Sequence, residues 1–218
     1  MALETLRVVY GDLAAVCADL DEEEIWRPAG CAGWVVRDLV FHLLSDVRRG
    51  LVALGTPADA PADTDAVSYW RAWPAGGEGA AADRRATRIM ASVYSVTDQL
   101  VSGYVEATRA LVHLAQRIPP DEVVATQGHR IRVDDLLTTL AVEAVVHHLD
   151  VVDGLDRPGP RPQSFVPVRR TLDGLLGQPA PVDWEDVTYA LVGTGRRRLP
   201  PAWRATLGDN AERFPLFG

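Results

Sequence analysis

Two side chains capable of acid, base or metal chemistry lie one helical turn apart between residues 133 and 152. Glu143 and His147 are four residues apart, so on a helix both project from the same face. A helical wheel places that face on the apolar arc, with Val133, Leu136, Leu140, Ala144 and Val151. An ionised carboxylate in such a position is costly unless it is protonated, paired or bound to a metal. The pair therefore indicates two ligands of one site on one helix.

His42 is a third candidate ligand and lies on a second predicted helix, residues 34–54. It is at the edge of that helix's apolar arc, beside Leu39 and Asp46. If the two helices pack together, two imidazoles and one carboxylate give three protein ligands and leave one position open. That arrangement is typical of a catalytic divalent-metal site, and zinc is the expected ion. The alternative, that both histidines are core residues with satisfied hydrogen bonds, stays open.

The other histidines are not expected to be ligands. His148 projects toward the flank of the wheel, and His113 and His129 have no acidic or imidazole partner at ligand spacing. Asp150, three residues after His147, is a candidate acceptor for an imidazole N–H, which would orient the ring. The alternative for Asp150 is a surface carboxylate near the helix end.

Two cysteines and an arginine run have competing interpretations. Cys31 precedes the second predicted helix, where it could act as a nucleophile, but packing is the favoured role. Cys17 lies on the apolar seam of the first predicted helix and is expected in the core. The arginines at 196–198 could hold a substrate carboxylate through bidentate contacts, although a charge run is usually a solvated face.

Four amphipathic segments must position these residues. Apolar residues at three- and four-residue steps predict helices over residues 3–20, 34–54, about 93–118 and 133–152. A connection over residues 56–83 separates the second and third helices, and its Tyr69, Trp70 and Trp73 could either line a substrate pocket or cap the helices. Four helices with one long crossover predict an all-α protein built on a four-helix bundle.

The bundle is expected to occupy residues 1–157, where a proline-rich stretch begins. Residues 158–218 are predicted to form a small C-terminal extension that packs on the bundle and holds two short helices, residues 168–176 and 183–192. No strand is predicted before residue 160.

The composition excludes several classes of function. The chain has 218 residues, a net charge of −8 and 22 basic residues, all of them arginine. Because lysine is absent, Schiff-base catalysis, pyridoxal attachment and a P-loop lysine are excluded. The acidic balance argues against nucleic acid and anionic membranes as partners, so a small-molecule substrate is expected.

The sequence also predicts a cytoplasmic protein. Its apolar runs are far shorter than the roughly 20 residues of a membrane-spanning helix. Glu4 and Arg7 interrupt the stretch in which a signal peptide would be apolar. Two cysteines are too few for a disulfide scaffold, so both are expected as free thiols.

Two motifs about 100 residues apart carry a family resemblance. The first is WRPAGCAGWVVRDLVFH, from Trp26 to His42, and the second is EAVVHHLD, from Glu143 to Asp150. Together they resemble the mycothiol-dependent maleylpyruvate isomerase N-terminal domain family, part of the DinB-like superfamily of metal-dependent hydrolases and thiol transferases. The resemblance covers roughly residues 1–157.

The resemblance implies a ligand set, a fold and a cosubstrate. It implies that His42, Glu143 and His147 bind a divalent metal, usually zinc, in a DinB-like four-helix bundle. It also implies mycothiol as the thiol, an actinobacterial source and a homodimer. The chain departs from the isomerase after the bundle, because residues 158–218 are shorter than the isomerase's second domain. Maleylpyruvate is therefore not carried over as the substrate.

Three functions follow from this site. The first is a metal-dependent enzyme that activates mycothiol for S-transfer to, or isomerisation of, a small electrophile, since a cation stabilises a bound thiolate. The second is a hydrolase that uses the same metal to activate water. The third is a non-catalytic metal-binding or dimerisation module.

Overall fold

The computed structural model describes residues 2–73, 79–181 and 183–218. These residues are mostly helical and include a single two-stranded sheet. The described helices are α1 Ala2–Ala18, α2 Val36–Leu54, α3 Ala80–Ala91, α4 Thr97–Ala115, α5 Val133–Val152, α6 Phe165–Leu176, α7 Asp186–Gly193 and α8 Pro201–Leu207. The strands are β1 Val123–Thr126 and β2 His129–Arg132.

Four long helices form the main core. Helix α1 packs on α4 and α5, and α2 packs on the same two helices. The buried residues of α1 recur at three- and four-residue steps, which gives it one apolar face: Leu6, Val9, Tyr10, Leu13, Val16 and Cys17. Helix α5, in contrast, is buried around most of its circumference because α1, α2, α6 and β2 all contact it. Polar residues of α5 are therefore held inside the protein.

The helix that carries His42 begins and ends on clear local signals. Asp38 lies in the first turn of α2, where its carboxylate accepts a hydrogen bond from the Val35 N–H at 3.1 Å. Gly55 follows the last helical residue, Leu54. The predicted helix over residues 34–54 matches α2 closely, and the prediction for residues 133–152 coincides with α5.

The crossover differs from the sequence prediction. A helix occupies residues 80–91, within and just after the stretch predicted as a connection, and the third long helix begins only at Thr97. The prediction missed α3 because it has no apolar stripe to bury, and its Ile89 and Met90 are exposed. Val93, which the predicted seam included, is exposed in the turn between α3 and α4.

The prediction of no strand before residue 160 is wrong. Strands β1 and β2 form an antiparallel hairpin, with Val124 paired to Ile131. The two turn residues, Gln127 and Gly128, have φ values of 49° and 81°. A two-residue turn with two positive φ angles matches the right-handed twist of a hairpin. The apolar alternation here is only four residues long in each strand, too short for a periodicity argument to detect.

The C-terminal residues pack on the four long helices through α6, which contacts α5, and α7 packs on α6. Trp184 stacks on Trp203 of α8 with ring centroids 3.8 Å apart. Phe217 returns to the crossover and packs on Trp70, with centroids 4.3 Å apart. The two helices predicted over residues 168–176 and 183–192 are present as α6 and α7, whereas the seven-residue α8 was not predicted.

None of the helices in the described part of the chain is both long enough and apolar enough to cross a membrane.

Candidate metal centre

Helices α2 and α5 bring the three predicted ligands together. His42 Nε2 lies 3.1 Å from His147 Nε2, and Glu143 Oε2 lies 3.2 Å from the same nitrogen of His147. One potential ligand atom from each residue falls within a cluster in which all atoms lie within 4.8 Å of one another. The pattern of residues on two separate helices therefore corresponds to one compact group of donors.

Asp46 belongs to the same cluster and was not predicted as a ligand. Its Oδ2 lies 3.2 Å from His42 Nε2, while its Oδ1 lies 3.1 Å from Nη1 of Arg49. Asp46 follows His42 by four residues, so the spacing that linked Glu143 to His147 also links this pair. The four-residue spacing that indicates a ligand pair on α5 is therefore also present in the sequence of α2.

The geometry of the cluster fits a divalent metal ion. Two nitrogens bound to one tetrahedral zinc at about 2.0–2.1 Å lie roughly 3.3 Å apart, close to the 3.1 Å between the two imidazole Nε2 atoms. Asp46 Oδ2 is buried and has no hydrogen-bond donor among the described residues. Imidazole nitrogens and carboxylate oxygens are common ligands of zinc and other divalent metals. His42, Glu143 and His147 would hold the ion, and Asp46 lies within the same group of atoms.

The opposite edge of His147 is held by Asp150. The Nδ1 atom of His147 lies 2.8 Å from Asp150 Oδ2. Because an ionised carboxylate can only accept a hydrogen bond, His147 must donate its Nδ1–H. In the neutral ring this leaves the Nε2 lone pair facing the cluster, as a metal ligand requires. The role predicted for Asp150 thus corresponds to the contact in the structure, and its exposed alternative is wrong, since Asp150 is 1% exposed.

Arg196 reaches Asp150 from the C-terminal residues. Its Nε donates to Asp150 Oδ1 at 2.8 Å, and its Nη2 donates to Oδ2 at 2.8 Å. The carboxylate that Arg196 binds is therefore that of Asp150, in place of the substrate carboxylate considered in the sequence analysis. Arg197 and Arg198 are exposed. No sequence signal pairs Arg196 with Asp150, because the two residues lie in different parts of the fold.

Cys31 and Gly30 complete the surroundings of Asp150. The Cys31 thiol donates to Asp150 Oδ2 at 3.1 Å, and its sulfur lies 3.7 Å from His147 Nδ1. The Gly30 N–H donates to the Asp150 carbonyl at 2.9 Å. A Cβ on Gly30 would lie 2.7 Å from Asp150 Oδ1, so only glycine fits there without a shift. The loop of the first motif therefore docks directly on the end of α5.

The pKa values of Glu143 and His147 are shifted in the directions that favour their charged forms. Burial opposes ionisation of Glu143, but its hydrogen bond with His147 and the charges of His147, His42 and Arg49 outweigh burial and lower its pKa to about 2. Burial would likewise lower the pKa of His147, but its interactions with Cys31, Asp150 and Glu143 outweigh burial and raise it well above the usual histidine value.

His42 and Asp150 both contact His147, and the pKa of each lies below its usual value. Burial lowers the pKa of His42 by more than the nearby Asp46 carboxylate raises it. Burial opposes the charge on Asp150, but the hydrogen bond with His147 and the Arg196 cation keep its pKa far below the usual aspartate value. These shifts favour a neutral His42, a protonated His147 and ionised carboxylates on Glu143 and Asp150.

Trp34 borders the cluster through His42, and two aromatic residues of the crossover, Tyr69 and Trp70, are buried. The Trp34 ring lies 5.1 Å from the His42 ring, and Trp34 Nε1 donates to the Arg84 carbonyl of α3 at 3.3 Å. Tyr69 is buried, and its hydroxyl donates to Gln127 Oε1 at 2.6 Å. Trp70 is buried against the C-terminal tail. Trp70 is therefore a core residue that packs on Phe217, which is neither of the two roles considered in the sequence analysis.

The residues excluded by the sequence analysis lie outside the cluster. His148 Nε2 donates to the Pro158 carbonyl at 3.0 Å. His113 contacts Arg117, and His129 lies 3.9 Å from a carboxylate oxygen of Asp63. Cys17 is buried in the core, and burial raises the pKa of its thiol to about 12. Both cysteines are free.

Comparison with known proteins places the chain in a family. No curated protein and no solved structure matches it. Residues 6–152 match the family described as mycothiol maleylpyruvate isomerase N-terminal domain. The matched range contains both motifs and every residue of the cluster, whereas Arg196 lies beyond it. The chain belongs to the mycothiol maleylpyruvate isomerase N-terminal domain family.

Proposed function

We propose that this protein is a divalent-metal-dependent enzyme that activates mycothiol for S-transfer to, or isomerisation of, a small electrophilic substrate. The observation that carries the proposal is the convergence of His42 Nε2, His147 Nε2 and a Glu143 oxygen on one point between α2 and α5. Membership of a family described by mycothiol chemistry supports the choice of thiol.

Within this proposal His42, Glu143 and His147 are metal ligands, and zinc is the expected ion. A bound divalent cation stabilises a thiolate near neutral pH, which makes the thiol nucleophilic. Asp150 keeps the proton of His147 on Nδ1 and so directs Nε2 toward the ion. These contacts support His42, Glu143 and His147 as ligands and Asp150 as the residue that orients His147.

Access to the cluster supports a small substrate. The side chains of His42 and Glu143 are 26% and 23% exposed, whereas those of Asp46 and His147 are almost fully buried. The Trp34 ring lies beside the His42 ring at an interplanar angle of 43°. A thiol can therefore approach from the side on which His42 and Glu143 are exposed. Asp46 and His147 lie on the buried side of the cluster.

We also propose the DinB-like four-helix bundle, made of α1, α2, α4 and α5, as the unit that carries this site, with a boundary near residue 157. Residues 158–218 would then be an extension of the bundle that contributes Arg196 to the site, because α6 packs on α5. A homodimer in the cytoplasm, acting on small molecules with no nucleic acid or membrane partner, completes the proposal.

The experiment is a metal analysis followed by a conjugation assay. Purified protein should contain a near-stoichiometric divalent ion, and the His147→Ala variant should lose it. His113→Ala is the matched control, because His113 is an exposed histidine outside the cluster. The loaded protein is then incubated with mycothiol and monochlorobimane, with glutathione and bacillithiol as comparison thiols.

The assay separates the candidate functions. A bimane conjugate formed with mycothiol, and lost in His147→Ala, supports thiol activation. A metal-loaded protein that forms no conjugate with any of the three thiols counts against the transferase and leaves the hydrolase to test with ester and amide substrates. A chain that binds no divalent ion would exclude both metal-dependent enzymes.

A further inference from the structure

Asp46 is a buried carboxylate, and one of its two oxygens has no hydrogen-bond donor in the described part of the chain. The residue is 4% exposed, and Oδ1 is paired with Arg49. The other oxygen, Oδ2, lies 3.2 Å from His42 Nε2 without hydrogen-bond geometry, and no donor in the described part of the chain satisfies it. A buried acceptor without a donor destabilises a folded protein, and more so when it is charged.

The two helices present matching pairs of donors. Helix α2 offers His42 and Asp46 one turn apart, and helix α5 offers Glu143 and His147 one turn apart. Each helix thus contributes one imidazole and one carboxylate, and the two imidazole nitrogens face each other at 3.1 Å. Asp46 is thus the carboxylate that α2 places beside His42, as Glu143 is the carboxylate that α5 places beside His147.

His42 Nε2 restricts what Asp46 can do. If Nε2 carried a proton for Asp46, it could not bind a metal, and His42 would leave the ligand set. The contact lacks hydrogen-bond geometry, so the structure does not favour that arrangement. With the Nε2 lone pair free, both residues direct a donor atom toward the same point.

We propose that Asp46 is a fourth protein ligand of the metal ion, so that the site has two imidazole nitrogens and two carboxylate oxygens. The inference rests on the proposed function, since it concerns the same ion. A tetrahedral ion would be filled by four protein ligands, and thiol binding would then require five or six coordination. Zinc at catalytic sites can expand from four to five ligands, so this donor set is compatible with the expected ion.

Cobalt binding tests the proposal without relying on activity. Metal-free wild-type protein, Asp46→Asn and Asp46→Ala are titrated with Co²⁺, and affinity and the visible absorption spectrum are recorded. Loss of an orienting residue typically lowers metal affinity about 10- to 100-fold, so loss of a ligand should exceed roughly 100-fold. The spectrum should also change in shape and intensity, because it reports the atoms bound to cobalt.

The controls separate a ligand from a structural carboxylate. Asp38→Asn removes another buried carboxylate of α2 that lies outside the cluster, and it should leave the affinity and the spectrum unchanged. Asp46→Asn retains an oxygen that can accept a hydrogen bond from Arg49. If this variant does not fold, Asp46→Glu replaces it, because glutamate retains the negative charge. The glutamate variant should bind Co²⁺ with a shifted spectrum.

Each result decides between this inference and the proposed function. An unchanged spectrum in folded Asp46 variants overturns Asp46 as a ligand, even if affinity falls, and leaves the three-ligand enzyme standing. Wild-type protein that binds no Co²⁺, Zn²⁺ or Mn²⁺ overturns both. A changed spectrum with an affinity loss beyond that of an orienting residue supports the four-ligand site.

Discussion

Arg196 and Asp150 form a buried ion pair with two parallel hydrogen bonds, Nε to Oδ1 and Nη2 to Oδ2, each 2.8 Å long. Asp150 also accepts the Nδ1–H of His147. The pair therefore connects the C-terminal residues to a proposed metal ligand through one carboxylate. Charge-assisted bidentate pairs of this kind fix orientation as well as supplying energy.

Replacing Arg196 with alanine should destabilise the protein, because the buried Asp150 charge would lose its cation. Breaking a buried ion pair typically costs about 3–5 kcal/mol. Metal affinity should also fall about 10- to 100-fold, since Asp150 orients His147. Urea unfolding and metal titration measure the two effects. Arg197→Ala, at an exposed neighbour, should change stability by less than about 0.5 kcal/mol. Equal effects of the two substitutions would contradict the link.

Metal binding at neutral pH should release about one proton. His147 has a raised pKa and holds a proton in the metal-free protein, whereas Glu143, with a pKa of about 2, and His42, with a lowered pKa, have none to release. Binding requires the neutral imidazole, so affinity should rise about tenfold per pH unit until the raised pKa is reached. Calorimetry in buffers of different ionisation enthalpy counts the proton.

The same shift gives a pH dependence to the stability of the metal-free protein. Because the pKa of His147 is raised in the folded state, protonated His147 stabilises the fold. This stabilisation is fully present below the unfolded-state pKa of about 6.5 and is lost as the pH rises through the folded-state pKa. The metal-free protein should therefore lose stability on the alkaline side, and a bound ion should reverse the trend. Denaturant unfolding across this range, with and without metal, measures it. A buffer-independent binding enthalpy would contradict the protonated His147.

Replacing Gly30 with alanine should disturb the metal centre from outside it. The new Cβ would lie 2.7 Å from Asp150 Oδ1 and 2.9 Å from its Cα, so the loop or the end of α5 must move. Overpacking of this kind typically costs about 1–3 kcal/mol. Metal affinity should fall with stability. Gly11→Ala is the control, since no described atom lies within 4 Å of its added Cβ, and a helical alanine there should stabilise α1 by up to about 1 kcal/mol.

Cys31→Ser should retain mycothiol conjugation. Under the proposed function the nucleophile is the sulfur of the cosubstrate, and the Cys31 thiol only donates to Asp150, which serine can also do. Steady-state conjugation rates should change by less than about tenfold, which corresponds to 1.4 kcal/mol. Loss of all conjugation, with metal still bound, would instead identify Cys31 as the nucleophile. Cys17→Ala, in the core, controls for thiol loss.

The local parts of this fold were predictable from residue order. Apolar periodicity predicted α2 and α5 closely because each has a long segment with a regular pattern and clear end signals. Helix α3 was missed because it has little apolar surface to bury, and the hairpin was missed because its strands are only four residues long. Periodicity detects burial, so it does not detect elements that are exposed or very short.

The sequence by itself determined which residues of α5 lie one turn apart and that a carboxylate and an imidazole among them face inward. It also determined the family, since both motifs are contiguous. Only the tertiary structure decided that Asp46 joins the cluster and that Arg196 holds Asp150. Those contacts depend on how α2 and the C-terminal residues dock on α5. Helical spacing relates residues a turn apart, whereas packing relates residues across the whole chain.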